Sequence, residues 1–194
     1  LLGYSTTADY EVMISELLKC SLLDVFKSHI IQGTRMRKRT QIVYATQLAQ
    51  GMNYLHTCRP PIIHRDLKPS NVIIDADRKE PIIMDFGLAR REDSTEATLT
   101  RSGDILGSPA YMSPEQARGI RTSELTPATD VYALGVILYE QLVGDVPFRG
   151  SSMSVIASII DEQPVWPSER APGVPAALDA ICRRAMAKAP EDRY

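Results

Sequence analysis

One eight-residue stretch, HRDLKPSN at residues 64–71, constrains the fold of this chain more than any other part of it. Two short β-like runs, Ile62-Ile63 before it and Val72-Ile73-Ile74 after it, predict that the stretch is a loop. The loop carries an acidic, a basic and an amide side chain in close succession. Polar side chains on a loop that regular structure supports are well placed to act on a ligand.

Four polar side chains in and after this loop form a set suited to phosphoryl transfer. Asp66 can accept a proton or hold a hydroxyl, and Lys68 offers a positive charge to a phosphate oxygen. Asn71, and Asp85 after the next apolar run, supply the oxygen ligands that Mg²⁺ prefers. Because phosphoryl transfer depends mostly on positioning and charge neutralisation, these four residues predict that chemistry.

The order of three motifs resembles that of protein kinases. The stretch at residues 64–71 resembles the kinase catalytic loop, DFG at 85–87 the metal-binding triplet, and SPE at 113–115 the A-P-E element with Ser in place of Ala. The resemblance covers nearly the whole chain. It implies an α+β, protein-kinase-like fold that consists mainly of the helical C-terminal lobe, with the last strands of the N-terminal lobe.

The same resemblance predicts how the chain is divided. Residues 1–18 are expected to be the end of the small lobe and the hinge, and residues 19–194 the large lobe without its C-terminal end. No G-x-G-x-x-G stretch and no V-A-x-K lysine precede the hinge in this sequence. We therefore expect this polypeptide alone to have little or no kinase activity.

Further site residues follow from the resemblance alone. It implies that the backbone of Glu16 and Leu18 binds adenine and that Ile73 packs beneath the ring. It also implies that the Ser108 hydroxyl bridges the catalytic Asp and Lys, as in serine/threonine kinases. The catalytic residues are thus predicted to be Asp66, Lys68, Asn71 and Ser108, and the Mg²⁺ ligands Asn71 and Asp85.

Three further roles implied by the resemblance are structural. Asp130 resembles the buried Asp that holds the catalytic-loop backbone, although a carboxylate in a first helical turn is also favoured by the helix dipole alone. Arg193 resembles the Arg that pairs with the A-P-E glutamate, here Glu115, although both could be ordinary surface charges. His64 is expected to pack in the core against Phe86.

The class of kinase is indicated by residues around the motifs. A lysine two residues after the catalytic Asp, here Lys68 after Asp66, resembles the pattern of serine/threonine kinases and not that of tyrosine kinases. The stretch GSPAY at 107–111 supports the same class. Residues 107–116 are similar to bacterial eukaryotic-type kinases, whereas residues 60–75 are equally similar to tyrosine-kinase-like enzymes of plants or protists. The resemblance implies transfer of the ATP γ-phosphoryl group to Ser or Thr hydroxyls of protein substrates.

Arg65 implies a regulatory contact, because this arginine pairs with a phosphate on the activation segment in similar kinases. The segment offers several hydroxyls: Thr95, Thr98, Thr100 and Ser102. Asp104 lies near the usual phosphorylated position. Either its carboxylate supplies part of that negative charge permanently, or it is simply a loop residue.

Composition argues against several other classes of protein. A net charge of -2 gives no indication of binding to nucleic acid, and no apolar run reaches membrane-spanning length. The three cysteines form no C-x-x-C pair, so neither a zinc site nor a disulfide framework is predicted, and reduced thiols fit a cytoplasmic domain. Two alternatives to an active kinase stay open: a pseudokinase scaffold and a truncated, kinase-like binding module.

Periodicity and end signals predict the remaining elements. We expect a strand at 10–14, a helix capped by Ser21, an amphipathic helix at 40–56 and a helix after Pro175. A further helix is expected to have Thr126 as its N-cap and Pro127 as its first residue, and to end at Gly144. The helix at 40–56 is expected to bury Ile42, Val43, Leu48 and Met52. Residues 90–104 are polar and lack periodicity, so they are predicted to be a mobile surface loop.

Overall fold

The computed structural model describes residues 3–6 and 11–14 by their backbone, and residues 20–85 and 109–194 with their side chains. Its helices are α1 (Leu22–Ile31), α2 (Lys38–Thr57), α3 (Pro114–Ala117), α4 (Ala128–Val143), α5 (Ser152–Asp161), α6 (Pro167–Arg170) and α7 (Ala176–Ala185). Its strands are β1 (Gly3–Thr6), β2 (Glu11–Ile14), β3 (Val72–Ile74) and β4 (Pro81–Ile83). The predicted loop at 90–104 lies outside the described residues.

The strands form two antiparallel hairpins, β1 with β2 and β3 with β4. In the second hairpin Val72 pairs with Ile83, so the residues that flank this end of the hairpin lie next to each other. The Asp75 carboxylate accepts hydrogen bonds at 2.8 Å from two backbone amides of the connecting turn. The predicted β-like run at Ile62 and Ile63 is wrong, because these residues form no strand.

Helix α4 forms the centre of the described core. Its apolar side chains cover nearly its whole circumference, and α2 and α7 pack against it. On one side of α4, Ile137 packs with Leu48 and Met52 of α2. On another side, Val136 and Tyr139 lie in the interface with α7. A helix that is apolar on all sides is stable only where it is covered on all sides.

The capping predictions are confirmed at two helix ends and wrong at a third. Ser21 and Asp24 form a capping box at the start of α1, with the Asp24 amide donating to Ser21 Oγ at 3.2 Å. Gly144 ends α4 in the left-handed conformation, at φ 84°. Pro127, and not Thr126, occupies the N-cap position of α4, and it makes no side-chain capping bond.

The predicted apolar face of α2 is only partly correct. Leu48 and Met52 are each 1% exposed, as expected, whereas Ile42 and Val43 are 47% and 41% exposed. These two residues lie beside the buried face of α2, which in the first turns carries Gln41 and Tyr44, at 5% and 8% exposed. Helix α5 was not predicted, although Val155 and Ile159 recur at helical spacing and both face the core.

Gly135 allows α4 and α7 to approach closely. A Cβ atom at this position would lie 2.8 Å from both Ala185 Cβ and Met186 Cγ. Gly135→Ala is therefore expected to lower the free energy of unfolding by roughly 1–3 kcal/mol in urea denaturation, since an overpacked core costs about that much. Gly51→Ala in α2 is the matched control, because its Cβ meets only the flexible tip of Ile83 at 3.2 Å. Equal stability of the two variants would contradict the prediction.

Candidate active site

The loop between α2 and β3 brings three predicted catalytic residues together. Lys68 Nζ lies 2.7 Å from Asp66 Oδ2, and Asn71 Nδ2 donates to the same oxygen at 3.3 Å. The Asp66 side chain is 44% exposed and that of Lys68 25% exposed, so a ligand can reach both. The Asp66 carboxylate can thus accept a proton beside the positive charge of Lys68, while the Asn71 side chain faces into the loop.

The Asn71 side chain is oriented by its own loop. Its Nδ2 atom donates to the backbone oxygen of Asp66 at 2.8 Å, which directs the amide nitrogen into the loop. Its Oδ1 atom accepts only a long bond of 3.4 Å from Ser70 Oγ among the described residues. The Asn71 carbonyl oxygen therefore retains the capacity to coordinate a hard cation.

Asp85 follows β4 at the end of the hairpin where Asn71 precedes β3. The Met84 amide donates to the Asn71 backbone oxygen at 2.8 Å. Asp85 is the next residue after Met84, so its backbone lies close to that of Asn71. Asp85 is exposed and adopts a left-handed conformation, with φ 57°. A carboxylate and an amide oxygen at one end of a hairpin form a donor set that fits Mg²⁺.

Asp130 of α4 fixes the backbone in front of the catalytic loop, which confirms its predicted structural role. Its Oδ2 atom accepts from the His64 amide and its Oδ1 atom from the Arg65 amide, both at 2.8 Å. The side chain is 1% exposed. His56 Nε2, in the last turn of α2, lies 2.8 Å from the same Oδ2 atom. His56 was not predicted, although its place one turn before the loop was a signal.

His64 is completely buried, which confirms its predicted place in the core. Its Nε2 atom lies 2.8 Å from the Met84 backbone oxygen, and its Nδ1 atom accepts from the Asp66 amide at 3.3 Å. Since a carbonyl oxygen only accepts and an amide only donates, these partners assign the ring proton to Nε2. The ring thus links the catalytic loop to the end of β4. Its expected contact with Phe86 lies outside the described residues.

The predicted pair of Glu115 and Arg193 is confirmed as a buried ion pair. Two nitrogens of Arg193 each donate to Glu115 at 2.8 Å, and the Arg193 side chain has no exposed surface. Thr129 Oγ1 donates to the same carboxylate, also at 2.8 Å. Burial alone would raise the pKa of Glu115, but the hydrogen bonds and positive charge of Arg193, a backbone hydrogen bond and the bond from Thr129 together hold that pKa below its ordinary value. The alternative of two surface charges is wrong.

A second buried contact ties the segment before α3 to α4. Tyr111 Oη donates to Glu140 Oε2 at 2.7 Å. Burial raises the pKa of the Glu140 carboxyl, the bond from Tyr111 counteracts part of that rise, and nearby Asp145 adds to it. Glu140 is only 8% exposed, so in this structure its carboxylate serves the packing of this segment.

Arg65 directly precedes Asp66 and has two unusual features. It adopts a left-handed conformation at φ 66°, which is uncommon for a residue with a side chain. Its Nε atom is buried without a hydrogen-bond partner in residues 20–85 and 109–194. The activation-segment residues expected to contact it, with Asp104 among them, lie outside the described residues.

The remaining predicted site residues divide into two groups. Ile73 lies in β3 and is half-buried, on the opposite side of the strand from buried Val72 and Ile74. Three others lie outside the residues whose side chains are described: Glu16, Leu18 and Ser108.

In the described part of the chain, no helix combines the length and apolar character that crossing a membrane requires.

Comparison with known proteins decides the family. The family described as "Protein kinase domain" matches residues 1–194. The chain belongs to the protein kinase family. The resemblance drawn from the three motifs is therefore confirmed, as is the mainly helical kinase fold with a small contribution of strands.

This kinase domain is similar to several bacterial proteins. "Serine/threonine-protein kinase PknB" of Mycobacterium tuberculosis is 41% identical over 164 residues, which cover 84% of this chain and 25% of the relative. "Probable serine/threonine-protein kinase PknB" of Bifidobacterium longum is 42% identical over 144 residues, covering 74% and 20%. "Serine/threonine-protein kinase pkn3" of Myxococcus xanthus is 38% identical over 170 residues, covering 84% and 29%. The chain thus spans about a quarter of the length of these relatives.

Proposed function

We propose that the protein containing this domain is a serine/threonine protein kinase, which transfers the γ-phosphoryl group of ATP to Ser or Thr hydroxyls of protein substrates. The observation that carries the proposal is the cluster of Asp66, Lys68 and Asn71, joined by hydrogen bonds of 2.7–3.3 Å on one loop. The names of the bacterial relatives support the choice of Ser and Thr over Tyr.

Each residue of the cluster has a separate task in this proposal. The Asp66 carboxylate orients the substrate hydroxyl and accepts its proton while the hydroxyl oxygen bonds to the γ-phosphorus and ADP leaves. Lys68 is paired with Asp66 at 2.7 Å, and with substrate present it neutralises charge on the transferred phosphoryl group. Asn71 maintains the loop through its bond to the Asp66 backbone oxygen.

Asn71 Oδ1 and the Asp85 carboxylate would hold Mg²⁺. The bound cation would supply charge neutralisation for the phosphate oxygens of ATP.

We further propose that the Ser108 hydroxyl joins Asp66 and Lys68, and that the backbone of Glu16 and Leu18 with the Ile73 side chain binds adenine. ATP and protein substrates, but no nucleic acid, are the partners of this site. A cytosolic location follows for the domain, since ATP and reduced thiols are found there.

A phosphate-transfer assay on the full-length protein tests the proposal. With γ-labelled ATP, Mg²⁺ and a mixture of protein acceptors, we expect labelled phosphoserine and phosphothreonine but no phosphotyrosine. Chelation of Mg²⁺ with EDTA should abolish the labelling, and readdition should restore it. ATP binding without any transfer would refute the proposal in favour of a pseudokinase scaffold. The absence of both would favour a kinase-like binding module.

A further inference from the structure

The side-chain amide of Gln116 connects helix α3 to the catalytic loop. Its Oε1 atom accepts from the Ser113 amide at 3.0 Å, and its Nε2 atom donates to the Arg65 backbone oxygen at 2.7 Å. The Ser113 amide can only donate, so it requires Oε1 on its side and directs Nε2 toward Arg65. The two halves of the Gln116 amide therefore have different tasks.

Capping of α3 needs only the oxygen of this side chain. Ser113 and Gln116 form a capping box, in which glutamate or glutamine serves equally well at the second position. Glutamate, however, has no N–H group to donate to a backbone oxygen at neutral pH. The bond to Arg65 is thus the one contact that distinguishes Gln116 from an ordinary capping residue.

The Arg65 backbone needs external support. Its left-handed conformation, at φ 66°, is unfavourable for a residue with a Cβ atom and persists only where surrounding groups enforce it. Asp130 Oδ1 accepts from the Arg65 amide at 2.8 Å, and Gln116 donates to the Arg65 carbonyl at 2.7 Å. Both polar backbone groups of Arg65 are therefore bonded to side chains that lie far from it in sequence.

The Arg65 carbonyl belongs to the same peptide unit as the Asp66 amide. Gln116 bonds the oxygen of this unit, and His64 Nδ1 accepts from its N–H at 3.3 Å. Hydrogen bonds to both the oxygen and the N–H restrain the position of a peptide unit. Displacement of this unit would move the Asp66 Cα atom, which lies in the same plane, and so the position of its carboxylate.

We propose that Gln116 is a positioning residue for phosphoryl transfer, which orients the Asp66 carboxylate through the Arg65–Asp66 peptide unit. The proposal rests on the function proposed above. Gln116 acts on the transition state through geometry, because it reaches Asp66 only through the backbone. A displacement of about 1 Å in a catalytic group can reduce turnover by about 10²-fold.

The decisive variant is Gln116→Glu in the full-length protein. It keeps the capping oxygen, removes the donor to Arg65 and places a carboxylate oxygen against the Arg65 carbonyl. We expect kcat to fall by about 10- to 100-fold, with KM for ATP changed less than about twofold. Gln116→Met, which removes both contacts at similar length, should lower kcat as well.

Ser113→Ala is the matched control, because it removes the capping hydroxyl and leaves the bond from Gln116 to Arg65 possible. We expect it to lower Tm and to leave kcat unchanged. If Gln116→Glu retains the wild-type kcat, or loses activity only in proportion to its unfolded fraction, Gln116 is a helix cap alone and the proposal is wrong.

Hydrogen exchange gives a readout that does not depend on activity. Mass spectrometry of a peptide covering residues 64–67 should show faster exchange of the Asp66 amide in Gln116→Glu than in wild type or Ser113→Ala. Unchanged exchange would contradict the proposed support of this peptide unit. An inactive wild-type protein would refute the proposed function, and the exchange comparison would still decide whether Gln116 holds the unit.

Discussion

Asp66→Asn in the full-length protein will lower the rate of phosphate transfer by roughly 10²–10⁴-fold, the usual contribution of a general base. Asparagine has nearly the shape of aspartate, but it does not take up a proton at neutral pH. It also removes the ion pair that Lys68 makes with the Asp66 carboxylate at 2.7 Å. Because Asp66 is assigned to the acceptor hydroxyl and not to the nucleotide, the Kd for ATP should stay within about twofold of wild type. Single-turnover kinetics and nucleotide titration measure the two quantities separately.

Asp77→Asn is the control for this change. Asp77 is exposed in the turn between β3 and β4, so the same loss of charge occurs away from the catalytic loop. Its turnover should equal that of wild type. Wild-type turnover in Asp66→Asn would remove Asp66 from the mechanism, while a parallel loss of ATP binding would show that its main effect is on the nucleotide site.

Glu115→Gln will cause a large loss of stability although it preserves side-chain size. Arg193 has no exposed side-chain surface, so removal of the Glu115 charge leaves a buried guanidinium without its counter-ion. Breaking a buried pair in this way costs roughly 3–5 kcal/mol. Urea denaturation monitored by circular dichroism measures the difference. Glu191→Gln, at an exposed position near Arg193 in sequence, should change the free energy of unfolding by less than about 0.5 kcal/mol.

The difference between wild type and Glu115→Gln should depend on pH. The pKa of Glu115 in the folded protein is lower than its ordinary value of 4.5, because Arg193, a backbone hydrogen bond and Thr129 together outweigh the effect of burial. The folded state therefore releases this proton more readily than the unfolded chain. The stabilisation is complete above the ordinary pKa and decreases as the pH falls through the folded pKa. A stability difference that stays constant from pH 7 to pH 3 would contradict the proposed ion pair.

Much of the candidate site could be predicted because its residues lie close together in sequence. Asp66, Lys68 and Asn71 fall within six positions of one loop, and the spacing alone indicates that they can meet. The pairings of Asp130 with the loop and of Glu115 with Arg193 join distant residues. Periodicity contains no information about such pairs, so they were accessible only through the resemblance to a family.

The errors have specific physical causes. Ile42 and Val43 are apolar but exposed, because Gln41 and Tyr44 occupy the buried positions in the first turns of α2. A search for apolar periodicity does not identify a buried glutamine. Gln116 was not predicted as a functional residue, although S-x-x-Q at residues 113–116 is a recognisable capping signature. That signature explains the oxygen of its side chain and contains no hint of the bond made by its nitrogen.

Asp130 makes the catalytic loop part of the same cooperative unit as the core, because one carboxylate on the most buried helix bonds the two amides before Asp66. Disordering the loop would remove both of these bonds from a buried carboxylate that otherwise contacts His56, at a cost of roughly 1–3 kcal/mol for each lost bond. The catalytic loop is therefore expected to keep one conformation in the active and the inactive states. Regulation of such a kinase is expected to act on the segments that pack against the catalytic loop, while the loop itself keeps its conformation.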